Sequence, residues 1–275
     1  MRTRSAALTL VITLAAVAAP SRAQDAPASA HDEHHGHDEQ LHFSHPLVTE
    51  SPSPDTKLRL DYLWTRTGDP LERVTERGVR LEGELAFTEG LSLAVTLPYT
   101  WRSAAGLPDA SGLGNTELSL KGASLRWGDR GLLVGGGVSV GLPTGSDARG
   151  IGTSRTVELE PFVDFGLARG GLQIVGFGRY GTTLRNPDGM DAERELSFDG
   201  SVLHQVARLL EVLVEVEVVH GVGGEERGTA SSIAPGLKLY PFTNRSLMFG
   251  VSAPLGLGGE ARDTRGVLVS AFYHF

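Results

Sequence analysis

The sequence predicts an all-β fold, a single up-and-down antiparallel transmembrane β-barrel of about 12 strands. Apolar residues alternate with polar ones from Leu58 to the C-terminus, and a period of two is the pattern of a strand. Residues 267–275 present a wholly apolar face that ends on Phe275. A terminal aromatic strand suits a barrel whose last strand closes against its first at a membrane interface. Short and long gaps between strands also alternate, which is typical of a barrel with periplasmic turns and extracellular loops.

The N-terminal residues 1–23 have the features of a secretory signal peptide. Arg2 and Arg4 precede an apolar run, and a small-x-small cleavage site ends at Ala23. The apolar run is shorter than the ~20 residues that a bilayer-spanning helix needs. The chain has no cysteine, which excludes a disulfide scaffold and a thiolate metal site. We therefore expect an exported protein that crosses a membrane, if it does so, with strands.

Residues 24–53 form a His-, Asp- and Glu-rich segment without periodicity, for which we expect a flexible, disordered arm in the periplasm. Interleaved imidazoles and carboxylates can chelate zinc, copper or nickel weakly. The candidate metal ligands are His31, His34, His35 and His37. They lack the spacing that holds two imidazoles on one helical face, so no catalytic metal is expected. A plain solvated linker is the alternative, and no other cofactor is expected.

The barrel itself is predicted over residues 57–275, with charged residues on the face opposite the apolar one. The side chains expected to line the lumen are Arg59, Asp61, Arg80, Glu82, Glu84, Glu117, Lys121, Glu158, Glu160, Asp164, Arg179, Glu215, Glu217 and Lys238. Carboxylates outnumber cations, so a water-filled pore would favour cations. In the alternative, opposite charges pair across strands and plug the barrel. Twelve strands are intermediate between a filled barrel and a wide porin, so we expect a narrow passage.

The apolar faces of four strands end in aromatic pairs. These pairs are Tyr62 with Trp64, Tyr99 with Trp101, Tyr240 with Phe242, and Tyr273 with Phe275. Aromatic residues concentrate at membrane–water interfaces. The pattern favours a membrane barrel over a soluble barrel or sandwich.

Two short motifs can be compared with a known family. The sequence Gly-Leu-Gly-Asn-Thr-Glu-Leu at 112–118 is followed by Gly-Leu-Pro-Thr-Gly at 141–145. Together they resemble the signature of outer-membrane β-barrel transporters of the "MetA-pathway of phenol degradation" type. Asn115 stands where that family usually has Asp. The resemblance implies a channel or uptake role for small solutes, including aromatic compounds.

The sequence thus predicts a non-enzymatic channel or transporter for small solutes in the outer membrane of a Gram-negative bacterium. The expected partners are outer-membrane lipid, the barrel-assembly machinery through the C-terminal strand, and a small-molecule solute. The net charge of −8 argues against nucleic acid. One alternative is an outer-membrane hydrolase, but Ser201 and His204 point to opposite faces of a regular strand. The other is a periplasmic β protein with a metal-binding His-rich arm.

Overall fold

The computed structural model describes six parts of the chain. They are residues 14–15, 41–69, 73–185, 194–223, 228–259 and 261–275, apart from the side chains of residues 14, 15, 129, 185 and 223. The predicted signal peptide therefore lies outside the described residues except for Leu14–Ala15, which pair with Thr96 and Val95. Residues 24–40 of the predicted arm lie outside them altogether. Among the described residues, no helix is long and apolar enough to span a bilayer.

Twelve antiparallel strands form the sheet, two of them in two segments. The strands are β1 (Lys57–Thr67), β2 (Val74–Thr88), β3 (Leu91–Ala104), β4a (Ala110–Leu113) and β4b (Thr116–Trp127), β5 (Leu132–Leu142), β6 (Val157–Arg169), β7 (Leu172–Arg185), β8 (Arg194–Ala207), β9 (Leu210–Gly223), β10 (Gly228–Leu239), β11a (Leu247–Ser252) and β11b (Leu255–Gly259), and β12 (Arg265–His274). Each strand pairs with the next, and β12 pairs with β1, with Val269 opposite Tyr62. The predicted twelve-stranded barrel and its closing strand are confirmed.

The connections define two ends of the barrel. The turn end carries both chain termini of the barrel and the connections at 89–90, 128–131, 170–171, 208–209 and 240–246. At the opposite end, the loop end, lie the strand ends that the other six connections join, those from β1 to β2, β3 to β4a, β5 to β6, β7 to β8, β9 to β10 and β11b to β12. The predicted strict sorting of lengths is too simple, because 240–246 is longer than 224–227. Strand pairing continues farther than expected toward the loop end, as Gly221 opposite Gly228 illustrates.

A break in β4 explains the Gly-x-Gly-Asn and Pro-Thr-Gly motifs. The Asn115 side-chain oxygen accepts a hydrogen bond of 2.7 Å from the Thr153 amide, and a Cβ at Gly152 would lie 2.4 Å from the same oxygen. The Thr144 hydroxyl donates to the Gly114 carbonyl at 2.9 Å. These contacts hold the 143–156 loop against the break. A register shift between Ala123 and Leu125 marks a β-bulge in β4b.

The outer surface of the barrel is apolar. Exposed side chains such as Leu97, Val163, Phe198 and Val214 alternate with buried polar ones along their strands. Exposed aromatic residues lie toward both ends. Examples are Trp101 and Tyr180 toward the loop end, and Phe87, Trp127, Phe242 and Phe275 toward the turn end. Tyr240 does not belong to this belt as predicted, because its hydroxyl turns inward to donate to Glu211 at 2.7 Å.

Candidate functional site: the lumen and the segment inside it

The inner face of the barrel carries all of the side chains that the sequence assigned to the lumen. Each of them is buried or half-buried. Toward the turn end the inner side chains are fully buried, among them Arg59, Glu215 and Lys238. Farther up, Glu117, Glu158, Glu160, Arg179 and Glu217 are half-buried. The lumen is therefore filled near the turn end and more open near the loop end, and a role in lining a passage stays a prediction.

Residues 41–56, called here the lumen segment, occupy the turn end of the barrel. Phe43 and Leu47 have no exposed surface. They pack in one cluster with inward apolar side chains of the wall, which include Leu133, Val175, Leu203, Leu213, Met248 and Phe272. The prediction of a flexible arm over 24–53 is therefore wrong for 41–53. A polar linker would stay in water, but this stretch carries apolar side chains that the lumen can bury.

Two glycines of the wall make room for the apolar side chains of the lumen segment. A Cβ at Gly166 would lie 2.6–2.7 Å from three ring carbons of Phe43. A Cβ at Gly250 would lie 2.3 Å from Leu47 Cδ2. Contacts this short are not tolerated between carbon atoms, so any other residue at these positions would displace the segment.

The wall also binds the backbone of the lumen segment. The Glu215 carboxylate accepts hydrogen bonds from the amides of Leu47, Val48 and Thr49, at distances between 2.9 and 3.2 Å. Lys238 donates to the His45 carbonyl at 2.8 Å, and Arg59 donates to the Leu47 carbonyl. Lys121 donates to the Ser51 carbonyl at 3.1 Å. Charged side chains thus satisfy backbone groups that would otherwise be buried without partners.

The charges of the turn end form ion pairs with one another. Lys57 Nζ lies 2.7 Å from Glu84 and 3.1 Å from Glu82, and Lys121 lies 3.1 Å from Glu84. Asp61 lies 2.9 Å from both Arg59 and Arg80. Buried charges are tolerated when they are paired in this way. The alternative in which opposite charges plug the barrel therefore describes this end.

Lys238, Glu211 and Tyr240 form a further buried group with the lumen segment. Lys238 Nζ lies 2.6 Å from the Glu211 carboxylate. The same carboxylate oxygen accepts hydrogen bonds from the Tyr240 hydroxyl at 2.7 Å and the Ser44 hydroxyl at 2.8 Å. Glu211 and Tyr240 therefore bind a side chain of the segment as well as balancing a lysine.

Three histidines surround one aspartate where the lumen segment joins β1. Asp55 Oδ2 lies 3.1 Å from His42 Nε2, 2.9 Å from His45 Nε2 and 2.9 Å from His274 Nδ1. These four residues are called here the histidine cluster. The metal ligands predicted from the sequence, His31, His34, His35 and His37, lie outside the described residues. Sequence reasoning did not select this cluster, because His274 is 219 positions from Asp55 along the chain.

Burial and the neighbouring charges set the protonation of the histidine cluster. Burial lowers the pKa of His45 well below its usual value, and the Lys57 ammonium acts in the same direction. Burial by itself would raise the pKa of Asp55, but hydrogen bonds from His274, His42 and His45 hold it well below its ordinary value. At neutral pH the cluster therefore combines an ionised carboxylate with a neutral His45 imidazole.

A cavity of about 490 Å³ lies at the loop end, between the β1–β2 and β11–β12 connections. Its lining includes the basic side chains of Arg66, Arg73, Arg262 and Arg265 and the acidic ones of Asp69 and Asp263. The entrance on this side therefore carries charges of both signs.

The structure separates the serine and histidine that a hydrolase would need to bring together. Ser201 is buried on the inner face, with 1% of its surface exposed. His204 is exposed, and its ring lies 3.2 Å from the Gly171 carbonyl. The odd spacing on a regular strand places them on opposite faces, as the sequence predicted.

No protein-family model and no curated protein matches the chain. The resemblance to the MetA-pathway type thus finds no matching family model. Among solved structures, the chain is similar to an outer membrane channel from Pseudomonas putida F1, with 15% identity, 81% of this chain and 96% of that chain covered, and a TM-score of 0.63. The NanC porin is 10% identical, with 78% of this chain and 100% of that chain covered and a TM-score of 0.53. The translocator domain of the autotransporter NalP from Neisseria meningitidis is 12% identical, with 80% of this chain and 88% of that chain covered and a TM-score of 0.50. At these identities the likeness shows the fold, a closed barrel of the kind that outer-membrane proteins have.

Proposed function

We propose that this chain is an outer-membrane β-barrel of a Gram-negative bacterium that passes small solutes through its lumen as a channel or transporter, without catalysis. The observation that carries this proposal is the distribution of polarity on a closed barrel. Its outer surface is apolar between aromatic belts, and its inner face is charged. In water such a surface would drive aggregation, whereas the hydrocarbon core of a bilayer covers it. Lipid and the barrel-assembly machinery are partners in this proposal, and the turn end faces the periplasm.

The names of two similar structures, an outer membrane channel and a porin, support a channel role. Within that role, the half-buried wall favours small cations. Glu117 and Glu158 flank Gly141 across three adjacent strands, and Glu160 and Glu217 add carboxylates on the same face. The arginines of the loop-end cavity act in the opposite direction. Hydrophobic or aromatic compounds, which the MetA-type resemblance implies, are the second class of solute.

The lumen segment constrains how the solute passes. Phe43 and Leu47 close the turn end, so a solute must pass beside the segment or displace it. We therefore expect a low conductance from the wild-type protein reconstituted in planar bilayers. A Phe43→Ala and Leu47→Ala double variant removes the two apolar contacts and should conduct more.

Ion selectivity tests the cation proposal separately. In a potassium chloride gradient the reversal potential should have the sign of cation preference. Replacing Glu117, Glu158 and Glu160 together with glutamine should shift it toward zero, whereas Glu89→Gln, at an exposed turn, should not. Absence of conductance from both the wild type and the Phe43 and Leu47 variant would contradict the channel. An unchanged reversal potential in the triple variant would contradict the cation preference alone.

A further inference from the structure

In the histidine cluster, more imidazole nitrogens lie near one carboxylate oxygen than that oxygen has lone pairs to accept hydrogen bonds. A carboxylate oxygen offers about two lone-pair sites, but three imidazole nitrogens lie within 2.9–3.1 Å of Asp55 Oδ2. The ligand atoms of His42, His45 and Asp55 also lie within 4.8 Å of one another. Imidazole nitrogens and a carboxylate oxygen that converge on one point are the arrangement of a transition-metal site.

The distances are close to those that a bound metal would require. Metal bonds of 2.0–2.2 Å to nitrogen and oxygen put the ligand atoms of a tetrahedral site roughly 3.3 Å apart. The nitrogens now lie 2.9–3.1 Å from the carboxylate oxygen. The nitrogens of His42 and His45 would therefore have to move only a few tenths of an ångström farther from the carboxylate oxygen to reach that separation.

We propose that His42, His45 and Asp55 bind a first-row transition-metal dication of the zinc, copper and nickel class. Imidazole and carboxylate donors without a thiolate suit these ions. The site lies at the turn end, at the junction of the lumen segment with β1. It contributes a binding function beyond the passage of solutes, and its test requires no transport measurement.

The surroundings of the cluster hold the ligands and leave a way in. The His45 ring stacks on Phe272, with centroids 5.9 Å apart and an angle of 26°, and Asp55 Oδ1 accepts a hydrogen bond of 2.8 Å from the Thr56 amide. The His42 side chain is 47% exposed, so an ion can reach the centre from solvent. His45 and Asp55, two of the three protein ligands, are thus held in place.

The ammonium of Lys57 opposes metal binding by His45. It lies 3.3 Å from His45 Nδ1, and a metal on Nε2 would leave the ring proton on Nδ1, facing that ammonium. Lys57 must then turn away toward Glu84 and Glu82, which it already contacts at 2.7 and 3.1 Å. The partners that it needs for this movement are in place.

Zinc titration of the folded protein tests the site. The chain without residues 1–23 is refolded in detergent, with His31, His34, His35 and His37 replaced by asparagine to remove background ligands. Isothermal titration should show one equivalent of zinc. Cobalt in place of zinc should give the visible absorption of a four-coordinate site, with three protein ligands and water as the fourth.

Variants and a matched control separate the site from general histidine binding. His42→Ala, His45→Ala and the nearly isosteric Asp55→Asn should each lower zinc affinity by about 10–100-fold or more. His204→Ala removes an exposed histidine at the same end of the barrel and should change nothing. Heat-modifiable gel migration shows that each variant is folded. Absence of saturable one-equivalent binding by the folded background protein would overturn the proposal, as would unchanged affinity in folded His45→Ala.

Discussion

The fit of Phe43 against Gly166 predicts that a single methyl group will displace the lumen segment. Phe43 is fully buried, and a Cβ at position 166 would lie 2.6–2.7 Å from ring atoms Cε1, Cδ1 and Cζ. An aromatic ring cannot bend away, and the surrounding cluster leaves it no free volume. Gly166→Ala should therefore force the ring, and the segment that carries it, out of place.

The size of the effect follows from the cost of overpacking. Extra carbon atoms in a packed core cost about 1–3 kcal/mol. If the segment undocks to relieve the clash, its undocking equilibrium rises by about 5–150-fold. The barrel should still fold, because Gly166 lies within β6, whose pairing with β5 and β7 involves backbone groups.

A cysteine at position 49 gives the assay. Thr49 is fully buried, and its hydroxyl has no hydrogen-bond partner among the described residues, so Thr49→Cys removes no bond. The chain has no other cysteine. The thiol can react with a maleimide only when the segment opens, so the labelling rate reports undocking. We expect Gly166→Ala to raise that rate by about 5–150-fold.

Two further variants test the cause. Gly200→Ala adds a methyl on the outer face at ordinary contact distance, 3.5 Å from Val216 Cγ2, and should leave labelling unchanged. Phe43→Ala removes the ring, so adding Gly166→Ala to it should have no further effect. Labelling of Gly166→Ala at the wild-type rate would refute the reasoning, as would an equal effect of Gly166→Ala with and without Phe43.

Three other substitutions test the contacts around the lumen segment and the closing strand. Glu215→Gln removes a charged acceptor of three amides, and each such bond is worth about 1.5–3 kcal/mol. The labelling rate of the cysteine at position 49 should therefore rise at least about tenfold. Glu217→Gln serves as the control and should leave that rate unchanged. Tyr240→Phe removes the hydrogen bond to Glu211 and should lower the free energy of unfolding in urea by about 1.5–3 kcal/mol. Tyr62→Phe, at an exposed position, is the control and should leave the free energy of unfolding unchanged. Deletion of Phe275 removes its amide bond to Thr56 and its ring contact with Tyr273; heat-modifiable migration of membrane fractions should show failed assembly, and normal assembly would count against the role of the closing strand.

The barrel could be predicted from the sequence because one physical rule acts along all of its strands. Residues that face outward are apolar, and the side-chain period of a strand is two, so strand number and face follow from alternation. The closing pair follows as well, because the terminal apolar strand has β1 as its partner. The conformation of the lumen segment obeys no such period, so composition alone suggested a disordered linker.

Some signals of the lumen segment were nevertheless present in the sequence. On β7, Val175 and Phe177 are apolar on the charged face, and Leu213 and Phe272 break the pattern in the same way. Apolar residues on a face that should be polar require an apolar partner inside the barrel. Phe43 and Leu47 are the apolar residues that supply it.

The contacts of the lumen segment divide into two kinds with different consequences. Glu215, Lys121, Lys238 and Arg59 bind its backbone, so they fix its path through the barrel. The histidine cluster instead joins three side chains of the segment to His274 of β12. A metal in that cluster would therefore tie His42 and His45, on either side of Phe43, to Asp55 near the start of β1. Release of Phe43 and metal binding are therefore coupled, and the zinc titration tests the metal site without a transport measurement.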